Sequence, residues 1–379
     1  MNILVIGAGV FGAWTAKFLA DGGHTVTLVD AFGPANGRAS SADHSRVIRA
    51  GYGADEIYSR WATESLTEWQ WLCEVSGQAL LARTGALFMG EPDNAYVLDT
   101  HRTLGRLGLA VELLQPAQLQ HRLPHMATEG LGVALFEPNA GVLRARASVQ
   151  ALVGVIVRSA GVSYVQAQVE PVDEDASTCR IHSHDGREFE ADAHVFACGP
   201  WLPKLLPHAV GPRIRATRQE VLYFGVPPGD ARFSASRMPV WIDFTAGVYG
   251  IPDLDALGFK VGIDRHGPSI DPDAADRVVG PELVETTRQW IGRRFPAMHN
   301  APLVDARVCQ YENTSSGDFI VDRHPAWPTC WIVGGGSGHG FKHGPALGRH
   351  VAALIAGSEG VRERFRLASK SSRASRAVY

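Results

Sequence analysis

The stretch NILVIGAGVFGAWTAKFLADGGHTVTLVD, residues 2–30, decides the fold. Ile3 to Ile6 form a short apolar run bounded by glycine, the pattern of a strand buried on both faces in a parallel sheet. Ala13 to Ala20 are mostly good helix formers, Gly22 and Gly23 stop them, and TVTLVD supplies a second strand. Between the first strand and the helix stands Gly7-Ala8-Gly9-Val10-Phe11-Gly12, a GxGxxG. Gly7 allows the tight turn, Gly9 lets backbone approach a pyrophosphate, and Gly12 lets helix and strand pack closely. The helix N-terminus turns its amides toward phosphate. Asp30 ends the second strand 18 positions beyond Gly12, where a carboxylate accepts hydrogen bonds from ribose hydroxyls. A lone GxGxxG is weak; in this strand-turn-helix-strand-acid order it predicts a Rossmann-like α/β domain that binds a dinucleotide.

Downstream, SSADHSRVIRAGYG (40–53) gathers Ser40, Ser41, Ser45, Arg46 and Arg49, a density of donors suited to a flavin ring or an anionic substrate. Residues from about 56 to 80 have apolar positions at helical spacing, and TGALFMG reads as a strand. The segment GVLRARASVQALVGVIVRSAGVSYVQAQVEPV predicts a helix, a glycine stop and a strand centred on Val165 to Val169. ADAHVFACGPW is a buried strand running into Cys198-Gly199-Pro200-Trp201, where chain and ligand approach closely. Between about 214 and 310, QEVLYFGV, GVYGIP and GFKVGID are short β-type runs, which predicts an antiparallel sheet with one face free for a ligand. CWIVGGGSGHGFKHGPALGRHVAALIAG reads as strand, glycine loop, helix.

At 379 residues the chain exceeds the ~250–300 at which one core stops growing, so two intergrown domains are expected. With 36 Lys+Arg against 39 Asp+Glu the net charge is −3, which lacks the basic excess of a nucleic-acid binder. The basic C-terminal stretch VRERFRLASKSSRASRAVY reads as a solvated tail. No apolar run reaches the ~18 residues that span a bilayer, and no basic region precedes the first strand, so a cytoplasmic chain is expected. Five scattered cysteines without a CxxC pair predict neither a disulfide framework nor a metal site, and a reducing setting.

Five blocks in order, GAGVFG with Asp30, HSRVIRAGYG, FACGPW, YGIPDLDALGFKVG, and CQYENTSSGDFIVDRHP followed by GGSGHGFK, resemble the monomeric sarcosine oxidase family within the D-amino-acid oxidase-like flavoenzymes, over nearly the whole chain. The resemblance implies a Rossmann-like FAD-binding domain (1–80, 142–213 and 316–379) interleaved with a smaller α+β substrate domain on an antiparallel sheet (81–141 and 214–315). It implies that FAD meets Gly7, Gly9, Val10, Phe11, Gly12, Asp30, Ser40, Ser41, Arg46, Val169, Gly199 and Trp201, then Gly336, Ser337, Gly338, Gly340 and Lys342 of the glycine loop. The cysteine of CxYxxT, Cys309, would carry the flavin covalently, with Arg307 helping to lower its thiol pKa. Arg49 and Lys342 would hold a substrate carboxylate, Lys260 would activate molecular oxygen, and Arg46 would order the loop or water beside the flavin. The implied activity is oxidation of a carboxylate-bearing secondary or primary amine by a monomer, giving an imine and hydrogen peroxide. A flavin dehydrogenase using a quinone or protein acceptor is the alternative.

Three positions depart from that family. Ser41 and Ala42 stand where it has adjacent histidines, Asp264 stands where a histidine follows the lysine by four positions (His266 is two further on), and Gly336 replaces an aromatic residue. These changes are expected to bear on substrate identity more than on flavin binding, with Gly336 reporting on the substrate as well as the flavin.

Overall fold

A computed structural model describes residues 1–372. Its first layer is a six-stranded sheet in the order Ile320–Arg323, Cys330–Gly334, Ala193–Phe196, Asn2–Ile6, Thr25–Asp30, Val162–Gln166. All neighbours are parallel except the first pair. Helices Val10–Asp21, Ala145–Ile156 and Gly344–Ile355 pack with Glu56–Ser76 on this sheet, their apolar faces in one core with Ile3, Val5, Val195 and Val333. Gly344 and Gly348 bring the last helix against the first: a Cβ on Gly348 would lie 2.6 Å from the Trp14 backbone. That contact seats the helix that begins at the glycine turn.

The second layer is an eight-stranded, mostly antiparallel sheet: Leu303–Asn313, Arg215–Phe224, Phe259–Ile263, Val248–Ile251, Val240–Asp243, Ala86–Gly90, Val133–Glu137, Glu112–Leu114. Helices Ala95–Arg106, Pro116–Arg122 and Pro281–Arg294 accompany it, and Trp241, Phe259 and Phe295 centre its core. The fold is thus a Rossmann-like α/β unit interleaved with an α+β unit on an antiparallel sheet. Every strand of the first sheet falls outside 81–141 and 214–315, and every strand of the second falls inside.

Two details differ from the sequence reading. Gly141–Arg144, read as the start of a helix, is a strand between Ser45–Ile48 and Leu81–Ala82. A Cβ on Gly141 would lie 2.2 Å from the Ala82 carbonyl oxygen, so the glycine permits this close pairing and the helix starts only at Ala145. The C-terminal stretch is not a solvated tail as far as residue 372. Arg364 bonds Asp55 at 2.7 Å and Asp318 at 2.6 Å, and Lys370 is buried with its ammonium 3.1 Å from the Ser316 hydroxyl. Neighbouring carboxylates pull these cations onto the fold; the rest of the stretch, 373–379, lies outside the described residues.

Candidate active site

The carboxyl ends of the parallel strands open onto a cleft of about 350 Å³, where ligands of open α/β sheets sit. Gly7 has φ +106°, and a Cβ there would lie 2.4 Å from the Ala197 carbonyl oxygen; one on Gly12 would lie 1.8 Å from the Gly7 carbonyl oxygen. Gly9 has only the Ser41 Oγ near it, at 3.5 Å, so its backbone faces open space. Asp30 accepts the Ala8 N–H at 2.8 Å and those of Phe32 and Gly33 at 2.9 Å, tying strand end to turn. Burial raises its pKa, and the three amides only partly offset that.

Ser41 Oγ accepts the Val10 N–H at 3.2 Å, and the Ser40 hydroxyl, also lining the cleft, is buried without a hydrogen-bond partner. Phe11, Val169, Gly199, Trp201 and the loop residues Gly336, Ser337, Gly338 and Gly340 complete the walls. Trp201 is fixed by its Nε1–H to Asp273 at 2.7 Å, and Ser337 Oγ accepts the Thr314 N–H at 3.1 Å. Open backbone at Gly9, a carboxylate at the second strand end and an orphan hydroxyl fit an extended cofactor with phosphates and ribose hydroxyls.

Gly336 is part of the cofactor-sized cleft. The space beside this glycine holds the Glu312 carboxylate, 3.0 Å from where a Cβ would stand. Glu312 is buried, one of its oxygens has no hydrogen-bond partner, and burial pushes its pKa up to about 7 against the amides of Gly336 and Gly335. Nothing but an acid inside CxYxxT hinted at it.

A second, smaller cavity of about 60 Å³ lies between the two sheets and brings together Arg46, Arg49, Lys260, Asp264, Cys309 and Lys342, positions far apart in the chain. Arg49 lies 4.6 Å over the Tyr52 ring and bonds the Gly51 carbonyl oxygen, with Tyr96 OH at 3.3 Å. Lys342 Nζ donates to the Tyr52 hydroxyl at 2.8 Å and the His339 carbonyl oxygen at 3.0 Å. Burial, then the Arg49 charge, pull the Lys342 pKa well below the lysine range. Asp264 reaches Tyr311 OH at 3.5 Å. His266 does not line this cavity, and burial lowers its pKa.

The sequence reading missed the hub of this region. Asp43 is 2 % exposed and accepts hydrogen bonds from Lys260 Nζ, from Arg46 at 2.9 Å and from Tyr223 OH at 2.7 Å, with Arg307 at 3.5 Å. Burial works to raise its pKa, but Lys260 and Arg46 hold it far below the carboxylate range. Burial pulls the Lys260 pKa down, and Asp43 opposes that. Arg46 also donates to the Ser40 and Ser45 carbonyl oxygens at 2.9 Å. The signal was one acid among the donors of SSADHSRVIRAGYG, which only the fold could connect to Lys260.

Arg307 acts on Cys309 in the expected, lowering direction but does not activate the thiol. Burial pushes the Cys309 thiol up, Asp43 adds to it, and the cations Arg46, Lys260 and Arg307 do not overcome them. Arg307 also bonds Asp305, at 2.8 Å, and His44.

A Rossmann-like cleft opening beside a buried, cation-rich cavity defines a dinucleotide-dependent oxidoreductase. The FAD dependent oxidoreductase family matches residues 2–354, and the chain belongs to it. It is 29% identical over 359 residues to the monomeric sarcosine oxidase of Streptomyces avermitilis, covering 93% of each chain, and 28% identical over 362 residues to the human peroxisomal sarcosine oxidase, covering 93% of this chain and 91% of that one. Among solved structures, L-proline dehydrogenase from P. horikoshii superposes with a TM-score of 0.82 over 97% of this chain and 96% of that one at 20% identity, a likeness of fold. Among the described residues no helix is long and apolar enough to cross a membrane.

Proposed function

We propose that the chain oxidises the C–N bond of a small amine carrying a carboxylate, of the N-substituted amino acid type, with FAD in the long cleft and the substrate in the small cavity. On this reading 1–80, 142–213 and 316–379 form the cofactor domain, and 81–141 and 214–315 the substrate domain. The observation that carries it is the convergence of Arg49 and Lys342 on one buried cavity beside Lys260 and Cys309. A guanidinium fork beside a lysine suits a carboxylate. An entering carboxylate also restores the protonated Lys342 that burial disfavours. The sarcosine oxidases named above support the substrate class.

Bound FAD supplies the acceptor for a hydride equivalent. The protein's part is positional: Arg49 and Lys342 fix the carboxylate, and Tyr52 orients Lys342. The substrate loses two electrons and two protons overall, the imine takes up water, and the products are an aldehyde or keto compound and the shortened amine. In the oxidase reading, molecular oxygen takes the electrons and protons as hydrogen peroxide, with Lys260 as the fixed cation. Cys309 lies in the same cavity and is the candidate for a covalent link to the flavin. A cytoplasmic setting belongs to this reading, and the relatives' name supports a monomer.

One observation favours the second reading, a dehydrogenase that delivers electrons to a quinone or protein. Lys260 is ion-paired with Asp43, which compensates the charge that would stabilise reduced oxygen. Peroxide detection over a panel of N-methyl, cyclic and glycated amino acids, with turnover compared between oxygen and an artificial acceptor, tests both. Oxidation of none of them under either acceptor defeats the substrate proposal. Flavin that leaves wild-type protein on acid denaturation defeats the covalent link.

A further inference from the structure

The long cleft and the small cavity leave one cluster of reactive side chains unused, at the opposite end of the parallel sheet. Cys330 opens the strand Cys330–Gly334 and is paired in register with His194 on the neighbouring strand Ala193–Phe196. The segment just before the strand Ile181–His182 brings Cys179 against them, and one ligand atom from each of the three residues lies within 4.8 Å of the others. Spacing along the chain hides the cluster, since positions 179, 194 and 330 form no short motif.

We propose that Cys179, His194 and Cys330 bind a single thiophilic cation of the zinc type. The geometry carries the assignment. Cys330 Sγ stands 3.7 Å from His194 Nδ1. Ligands at about 2.3 Å (sulfur) and 2.0–2.1 Å (nitrogen) around a tetrahedral zinc are separated by about 3.6 Å, so this edge already has the right length. Two thiolates and an imidazole are the soft-to-borderline set that selects such a cation over magnesium or calcium. Cys330 and His194 are buried and Cys179 is partly buried, and water would take the fourth position.

The place in the fold gives the cation a structural task. The two strands it joins run on into Cys198–Trp201 and into the glycine loop 334–340, both walls of the long cleft. At ~3.3 Å per residue, four or five residues put the ion roughly 13–17 Å from that cleft, too far to touch a cofactor there. It fastens the roots of two strands and the segment that covers them.

The test is zinc binding by the intact, flavin-loaded protein. After incubation with Zn²⁺ and removal of loosely held metal, elemental analysis is expected to give one zinc per chain, and Co²⁺ in its place a thiolate charge-transfer band. Loss of an outer partner of a zinc ligand weakens binding about 10–100-fold, so Cys179→Ser, which removes a ligand itself, is expected to weaken it by at least about tenfold. Cys179 is only partly buried, so this variant folds more readily than a change at buried Cys330; unchanged flavin content and far-ultraviolet circular dichroism verify it. Three results overturn the proposal: less than stoichiometric zinc in wild type, undiminished binding in Cys179→Ser, or a Cys179–Cys330 disulfide in peptides mapped from reductant-free protein.

Discussion

The long cleft and the small cavity are neighbours built in opposite ways. The cleft is shaped by backbone: Gly7, Gly9 and Gly12 decide where the chain turns, opens and packs, and few side chains need to be charged. The cavity is shaped by side chains, with Lys260, Arg46 and Arg307 held around one carboxylate, Asp43. A backbone site tolerates changes in polar side chains and fails when a Cβ is added. A charge-built site behaves the other way, because removing one partner leaves the others buried and uncompensated.

The largest expected effect lies at that hub. Asp43→Ala should lower the unfolding free energy by about 3–5 kcal/mol, as for breaking a buried ion pair, measured by urea denaturation of flavin-free protein. A loss below about 1 kcal/mol, the range of exposed pairs, would remove the contrast between the two regions. Next comes Lys342→Met. With a carboxylate-bearing amine, kcat/KM should fall about 10²–10³-fold, and with an amine lacking the carboxylate much less. Equal losses on the two substrates would mean that the lysine does not read the carboxylate.

In the cleft, Glu312 gives a pH signature. Its pKa is about 7 in the fold against an ordinary 4.5, so the folded chain holds a proton that the unfolded chain has already lost. Stability of the flavin-free protein should therefore fall as pH rises from 4.5 to about 7, by roughly 3 kcal/mol in all. Glu312→Gln should flatten that interval, and thermal melts across it in both proteins measure the difference. Gly12→Ala should sharpen the backbone side of the comparison. The added methyl overlaps the Gly7 carbonyl, costing about 1–3 kcal/mol and lowering flavin content while the cavity's charges stay in place. Smallest is Arg364→Ala, a partly exposed cation against Asp55 and Asp318, expected to cost about 1 kcal/mol or less in the same melts.

The same contrast explains what could be read from the sequence. Residues 2–30 specify strand, turn, helix and acid locally, because a glycine's role depends on its immediate neighbours. The placement of Arg49, Lys260, Cys309 and Lys342 was legible only through the family's motifs. Asp43 and Glu312 escaped because their importance comes from partners far away in sequence: Asp43 meets Lys260 across 217 positions. What stands beside Gly336 was hidden for the same reason, since the Glu312 side chain arrives from a strand distant in sequence. The strand Gly141–Arg144 was hidden by the helix-forming residues that follow it, and its pairing with two other segments overrode them.

The alternation of the chain between the two sheets has a consequence for how the protein comes apart. The path leaves the parallel sheet for the antiparallel one and returns twice, so four connections join them. Neither half can be cut out as one continuous piece. Hydrogen exchange and limited proteolysis should therefore see the strands of both sheets open together, since each sheet is complete only when segments far apart in the chain have come together.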